Sequence, residues 1–395
     1  MRRPSRRVLP TVIGVSLLTT LAANISVVVA HTNSARPRTQ AAKKQGFVAS
    51  AASSPYSAST AVATLQQRLS PQILVAGGTT LPADVIAKIR GYKGVKGVEV
   101  VDAVQALVAG KRVGLMGVDP STFRAYTPKP TAESDALWRN VAAGDVAVSF
   151  TLGKDGGLQL DSRVPIGGKT RQEQTRVGAY ATMGIGDVDA VVSHAVARSL
   201  GMPSGNALLI SAPKIKLDKL NKWLAKKALP KGAKSVLLNA KLDYVRSSGA
   251  GQLPQSNGQF LTGTQISVAI RAGYTKLGMP YVWGGESDAE GGYDCSGLVQ
   301  WAFRQAGITM PRVAADQART GPIVPYDQAR PGDLLIWAND PTAPGYISHI
   351  AIYIGGNKML VAPHTGDVVK IQTVYLRNFK GAVRVNPQLA GHVAG

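Results

Sequence analysis

Hydrophobic and polar positions fall into several registers along this chain, and the registers divide it. Apolar residues that alternate or run continuously predict strands at 98–108, 112–118, 146–152, 207–211 and 235–239. Apolar residues three and four apart predict helices at 81–90 and 192–200. Ile215, Leu217, Leu220, Trp223 and Leu224 form a further stripe, set among lysines and ended by Pro230. Strands and helices mixed in this way predict an α+β domain over residues 61–245. Further on, 264–277 reads as an amphipathic helix. Leu298, Val299, Trp301, Ala302 and Phe303 supply the apolar face of another, stopped by Gly307. Arg330-Pro331-Gly332-Asp333 turns into a strand ending at Trp337. A β-rich run over 348–355 then returns through a Gly355-Gly356-Asn357 hairpin into 358–363.

Between these periodic regions lie segments without a period. Residues 31–60, rich in Ala, Ser, Lys, Arg and Gln, read as a solvated tether, and 246–259 as a linker. The start, Met1-Arg2-Arg3-Pro4-Ser5-Arg6-Arg7, precedes an apolar run over 9–30 that ends in Val28-Val29-Ala30. Residues 1–30 therefore read as a secretory signal peptide or a membrane anchor. Both readings place the rest of the chain outside the cytoplasm, extracellular or associated with the cell wall. No internal repeat stands out. Gly167-Gly168-Lys169-Thr170 is not a phosphate loop, because Arg163 occupies the first glycine position.

Charge is unevenly placed. The chain carries a net +22, and residues 1–259 hold 34 Lys and Arg against 14 Asp and Glu, whereas residues 260–395 hold 11 against 9. The basic excess thus belongs to the first two thirds. Outside a bacterial cell its available counterparts are anionic wall polymers and the membrane surface. A lysine-rich solvated face with no dedicated ligand is the competing reading. Nucleic acid is disfavoured as a partner by compartment and by the lack of a recognisable module.

The chain has one cysteine, Cys295, so it can form no internal disulfide. Asp294 is placed to cap the helix that follows, which sets Cys295 in its first turn. There the free N–H groups and the helix dipole favour a thiolate, lower the pKa and make a nucleophile. The alternative is a small buried hydrophobe. A nucleophilic cysteine needs a base. His31 lies in the tether, His194 begins a middle-region helix and His392 is in the tail, which leaves His349, at a strand entry, and His364.

The order Pro280-Tyr281-Val282-Trp283-Gly284-Gly285, Asp294-Cys295-Ser296-Gly297, Pro331-Gly332-Asp333-Leu334, the Ser348-His349 strand and Ala362-Pro363-His364-Thr365-Gly366 resembles the NlpC/p60 family. These are papain-related peptidases that cut peptidoglycan stem peptides. The resemblance covers residues 260–385. It implies a papain-like domain at 260–395 in which a helix-borne Cys packs on an antiparallel sheet, preceded by a separate α+β domain. It implies Cys295 as nucleophile, His349 as base, Tyr281 near the oxyanion or thiol, and Asp294 and Ser296 lining the substrate site. The implied bond is γ-D-glutamyl to a diamino acid, with no metal or cofactor. Family members carry a polar residue on the next strand to orient the imidazole. Here the hairpin sets residue 361 opposite 351, on the face of His349, and residue 361 is Val361. His364 takes the role only if the strand bends. A degenerate, non-catalytic peptidoglycan-binding module is the rival reading, and an amidase or acyltransferase on the same fold a third. In the middle region, Gly94 to Val101, Gly117-Val118-Asp119-Pro120 and Gly205-Asn206-Ala207-Leu208-Leu209 resemble the extracytoplasmic core of MacB/FtsX-type permeases. That resemblance implies a fold and no transport role.

Overall fold

A computed structural model describes residues 48–49, 62–186, 188–238 and 260–394. The predicted signal or anchor and the 246–259 linker lie outside the described residues, as does all of the 31–60 tether except Val48–Ala49. That pair is a short strand against Ala179 and Tyr180. Among the described residues, no helix is long and apolar enough to cross a membrane.

The middle region is built around a ten-stranded sheet. Its pairings close a ring: Gly97–Val108 joins Lys111–Val118, then Val188–Ser193, Val146–Val148, Gln172–Tyr180 and Arg163–Gly167, which returns to Gly97–Val108. Gly97–Val108 is long enough for its first half to pair with Ala207–Ser211 instead, which carries Ile73–Ala76 and Lys234–Leu237 beyond it. Leu115, Val146, Ile166, Val177 and Val192 form one buried cluster of the ring strands. The helices Ala83–Arg90 and Leu217–Trp223 bury Val85, Ile89 and Leu220 against Ile73, Val75, Leu208 and Ile210 of the other strands.

One predicted strand is cut short. The apolar run over 146–152 is a strand only to Val148 and then becomes the helix Phe150–Lys154. Ser149 is the cause: its hydroxyl accepts from the Leu152 N–H at 3.1 Å and caps the helix, which a strand geometry would leave unpaired.

The C-terminal region holds a six-stranded antiparallel sheet in the order Ile323–Val324, Phe379–Val383, Leu334–Trp337, His349–Gly355, Lys358–Val361, Lys370–Thr373. Helix Gly263–Tyr274 opens with a capping box between Thr262 and Gln265. The cysteine helix, Cys295–Gln305, buries Leu298, Val299, Ala302 and Phe303 against Ile350, Ile352 and Leu360 on one face of the sheet. The other face gathers Leu335, Trp337, Ala351, Met359 and Val361. Gly297 lets this helix begin hard against the preceding turn, since a Cβ there would stand 2.0 Å from the Gly285 carbonyl oxygen.

The two regions meet through polar contacts. The loop before His349 reaches the middle region, where Thr182 N–H donates to Thr342 Oγ1 at 2.9 Å and the Thr182 hydroxyl donates to the Asp340 carboxylate. Tyr346 OH donates to the Gly186 carbonyl at 3.0 Å, and Thr365 N–H to the Asp155 carbonyl at 3.0 Å. On the far side of the cleft Arg112 donates to the Gly284 carbonyl at 3.1 Å and pairs with Glu290 at 3.0 Å. Trp283 packs against the apolar clusters of both regions.

Candidate active site

Asp294 organises the start of the cysteine helix. Its Oδ1 accepts from Gly297 N–H at 2.7 Å, the capping bond, and its Oδ2 accepts from Gly284 N–H at 3.0 Å. Arg312 then grips both oxygens, at 3.0 and 2.6 Å. The same guanidinium donates to Ser296 Oγ at 3.0 Å and pairs with Glu286 at 3.1 Å. Asp294 and Ser296 are therefore held by Arg312 at the cleft wall. Sequence reasoning gave Arg312 no role. Its position directly after Pro311 was the available signal, but a lone arginine seventeen residues beyond the thiol carries no spacing that names its partner.

Cys295 and His349 come to one cavity of about 390 Å³, with Tyr281, Asp294 and Ser296 in its wall. The cavity also takes Arg112, Asp155, Thr182 and Asp189 from the middle region. Cys295 is 9 % exposed and His349 8 %. Among the described residues, no hydrogen bond joins the sulfur to the imidazole.

Burial decides the charge state of this pair. It pushes the Cys295 thiol up to about 12, with the Asp294 charge adding to the rise. This differs from the lowered value expected for a first-turn cysteine, because loss of water outweighs the helix N-terminus. Burial likewise depresses His349 to about 4, helped by the charge of His364. In this arrangement the two groups are thiol and neutral imidazole, not an ion pair. Tyr281, also buried, has its phenol held well above the ordinary range.

The position opposite the imidazole is apolar. Ile352 faces Leu360 and Tyr353 faces Met359, the register that sets 361 across from 351. Val361 is fully buried beside Trp337, and the Trp337 ring lies 5.7 Å from the His349 ring, tilted by 49°. Trp337 is thus the aromatic neighbour of the imidazole, and among the described residues no side chain is hydrogen-bonded to it. His364 stands apart. The strand ends at Val361, and His364 is exposed, with Nδ1 3.0 Å from the Thr365 carbonyl and Nε2 3.7 Å from Asp367. It lines a second cavity of about 290 Å³ on the other side of His349, which Asp155 also reaches. His194 is bound to Asp102 at 2.7 Å within the middle region. Among the described residues, no group of His, Cys, Asp or Glu is arranged to hold a metal ion.

The depressed imidazole gives a pH test. Between about pH 6.5 and 4 the unfolded chain binds a proton at His349 that the folded chain refuses, so acid works against folding in that window. Asp155, raised by burial to about 6, acts in the opposite direction, since the folded chain keeps its proton longer. A difference curve separates them. Relative to His349→Gln, the parent should lose on the order of 3 kcal/mol of stability from pH 7 to pH 4. Denaturant melts of both proteins at each pH check this, and parallel curves would reject it.

Comparison with known proteins bears on the C-terminal region. Residues 278–385 match the NlpC/P60 family. The chain is 41% identical over 131 residues to the gamma-D-glutamyl-L-lysine dipeptidyl-peptidase of Bacillus subtilis (strain 168), covering 33% of this chain and 41% of that one. It is 32% identical over 139 residues to the peptidoglycan endopeptidase RipB of Mycobacterium tuberculosis, covering 32% and 54%. The match thus spans about half or less of these relatives. Among solved structures, RipD of Mycobacterium tuberculosis is described as a non-catalytic NlpC/p60 domain protein adapted to peptidoglycan binding. It is 29% identical, with 31% of this chain and 99% of that one covered and a TM-score of 0.27. The middle region lies outside the family match, which lends no support to its resemblance to the MacB/FtsX core. The chain carries, at residues 278–385, an NlpC/P60 family domain whose relatives are named peptidoglycan endopeptidases.

Proposed function

We propose that this chain is an exported cell-wall endopeptidase that hydrolyses the γ-D-glutamyl to diamino acid bond of peptidoglycan stem peptides. The observation that carries the reading is the meeting of Cys295, on a capped helix N-terminus, with His349 in one cavity. The sulfur attacks the scissile carbonyl, forming the S–C bond while its proton passes to His349. The C–N bond then breaks, and His349 gives that proton to the leaving amine. Water, deprotonated by His349, hydrolyses the acyl-enzyme and restores the thiol. As oxyanion forms, the first-turn N–H groups of the cysteine helix and the Tyr281 hydroxyl are the nearby donors. Signal or anchor residues 1–30, a tether at 31–60, a basic domain at 61–245 and a catalytic domain at 260–395 form the proposed organisation. The basic part draws the chain toward anionic wall polymers or the membrane surface.

Purified peptidoglycan incubated with the chain should yield fragments whose masses correspond to cleavage between the γ-D-glutamyl residue and the diamino acid. Val361 favours one competing reading, a module that binds peptidoglycan without cutting it. Retention on sedimented wall material with no released fragments would select that reading. Retention should also weaken as salt rises, because exposed charges separated by more than roughly 8 Å are screened at 0.15 M.

A further inference from the structure

We infer that the middle region is a cover over the thiol, held shut by a polar latch, and that the latch opens before a wall polymer reaches Cys295. Three independent features of the structure support this. The first is burial: the nucleophile and its base are each exposed by less than a tenth, although the cysteine helix begins at a cleft. A papain-type mechanism needs the sulfur to approach a carbonyl on a large substrate. The second is the origin of the wall. Arg112, Asp155, Thr182 and Asp189 line the cavity and narrow it from positions far before the C-terminal region. What remains is about 390 Å³, the size of a pocket for a small ligand rather than for a peptide still joined to its glycan.

The third is the chemistry of the contact. Thr131, Thr182, Asp340 and Thr342 are nearly or wholly buried and satisfy one another. Asp340 also accepts from the N–H and hydroxyl of Thr342 in its own loop, at 2.7 and 2.6 Å. When the loop leaves Thr182 it therefore keeps its shape, and the exposed groups exchange protein partners for water. Hydrogen bonds traded for water contribute little net free energy, and polar contacts between regions of one chain are of the kind that open. At the opposite rim Arg112 holds Gly284, Glu286 and Glu290 through a half-exposed guanidinium, a contact that water and salt readily replace.

Cys295 is the only thiol, so labelling reads the opening directly. The full chain is treated with two maleimides, one small and one carrying a polyethylene glycol chain too large for the cavity. Their rates are compared in the parent, in Thr182→Val and in Tyr346→Phe, the latter losing only the hydroxyl bonded to Gly186. The parent should label slowly with the large probe, and each variant should raise the ratio of large-probe to small-probe labelling by about five-fold. A change in the thiol's own reactivity moves both probes together and leaves the ratio alone. Should the parent take the large probe as fast as an exposed thiol, or the ratio stay unchanged in both variants, the cover is overturned. The inference rests on the proposed function only for what opening accomplishes. A chain that released no muropeptides would refute that function, while the labelling ratio would still decide the cover.

Discussion

Cys295→Ala is expected to abolish release of muropeptides from purified peptidoglycan while leaving the fold in place. The substitution removes one sulfur from the first turn of a helix whose cap, Asp294, and whose buried face, Leu298 to Phe303, are untouched. Its cost in stability is about 1 kcal/mol, the loss of one small buried group. Its cost in rate is on the order of 10⁴-fold or more, because no acyl-enzyme forms without a nucleophile. Mass analysis of the soluble fraction and a denaturant melt measure the two separately. Residual hydrolysis at the parental rate would remove Cys295 from the mechanism.

The largest expected loss of stability comes from Arg312→Met. Arg312 satisfies both Asp294 oxygens and Ser296 beside the helix start. Removing it leaves a mostly buried carboxylate with its two backbone N–H bonds but no counter-ion, a loss of about 3 kcal/mol. The helix start should loosen with it, so hydrolysis should fall too. The double variant Arg312→Met with Asp294→Asn should regain part of the stability, since the stranded charge is gone. If the single variant melts like the parent, the ion pair is not what holds this wall together. A double variant no better than the single one would shift the loss to packing of the arginine stem.

Much of the site's local geometry was legible because short-range chemistry writes it. Asp294 followed by Cys295 and an apolar stripe at helical spacing announces a capped helix, and the structure forms it over Cys295–Gln305. Gly355-Gly356-Asn357 announces a hairpin, and all three residues adopt the positive φ that the turn requires. The register that sets Val361 against the face of His349 is the expected one, although it is reached through a shift between Tyr353 and Gly355 that the sequence does not announce. What the chain order hides is anything decided at long range. The thiol's high pKa arises from burial, with the charge of Asp155, over a hundred positions away, adding to it. The closed ring of strands in the middle region likewise depends on Arg163–Gly167 pairing on both sides, which alternation alone does not reveal. The strand expected over 146–152 fails from residue 149 on, because the apolar run hides the single hydroxyl that caps the Phe150–Lys154 helix.

The solitary buried cysteine also bears on oxidative damage. A sulfenic acid formed at Cys295 finds no second thiol in the chain to condense with, so the reversible disulfide branch is closed to it within the molecule. For a chain exported as proposed, there is no glutathione pool at a reducing poise to rescue it, and further oxidation to the sulfinic acid is permanent. The oxidant's reactive target is the thiolate, which burial suppresses. A peroxide fits the cavity of about 390 Å³ even while Thr182 and Asp340 stay joined, so the working lifetime of each molecule in a peroxide-rich environment follows the thiolate fraction rather than the latch.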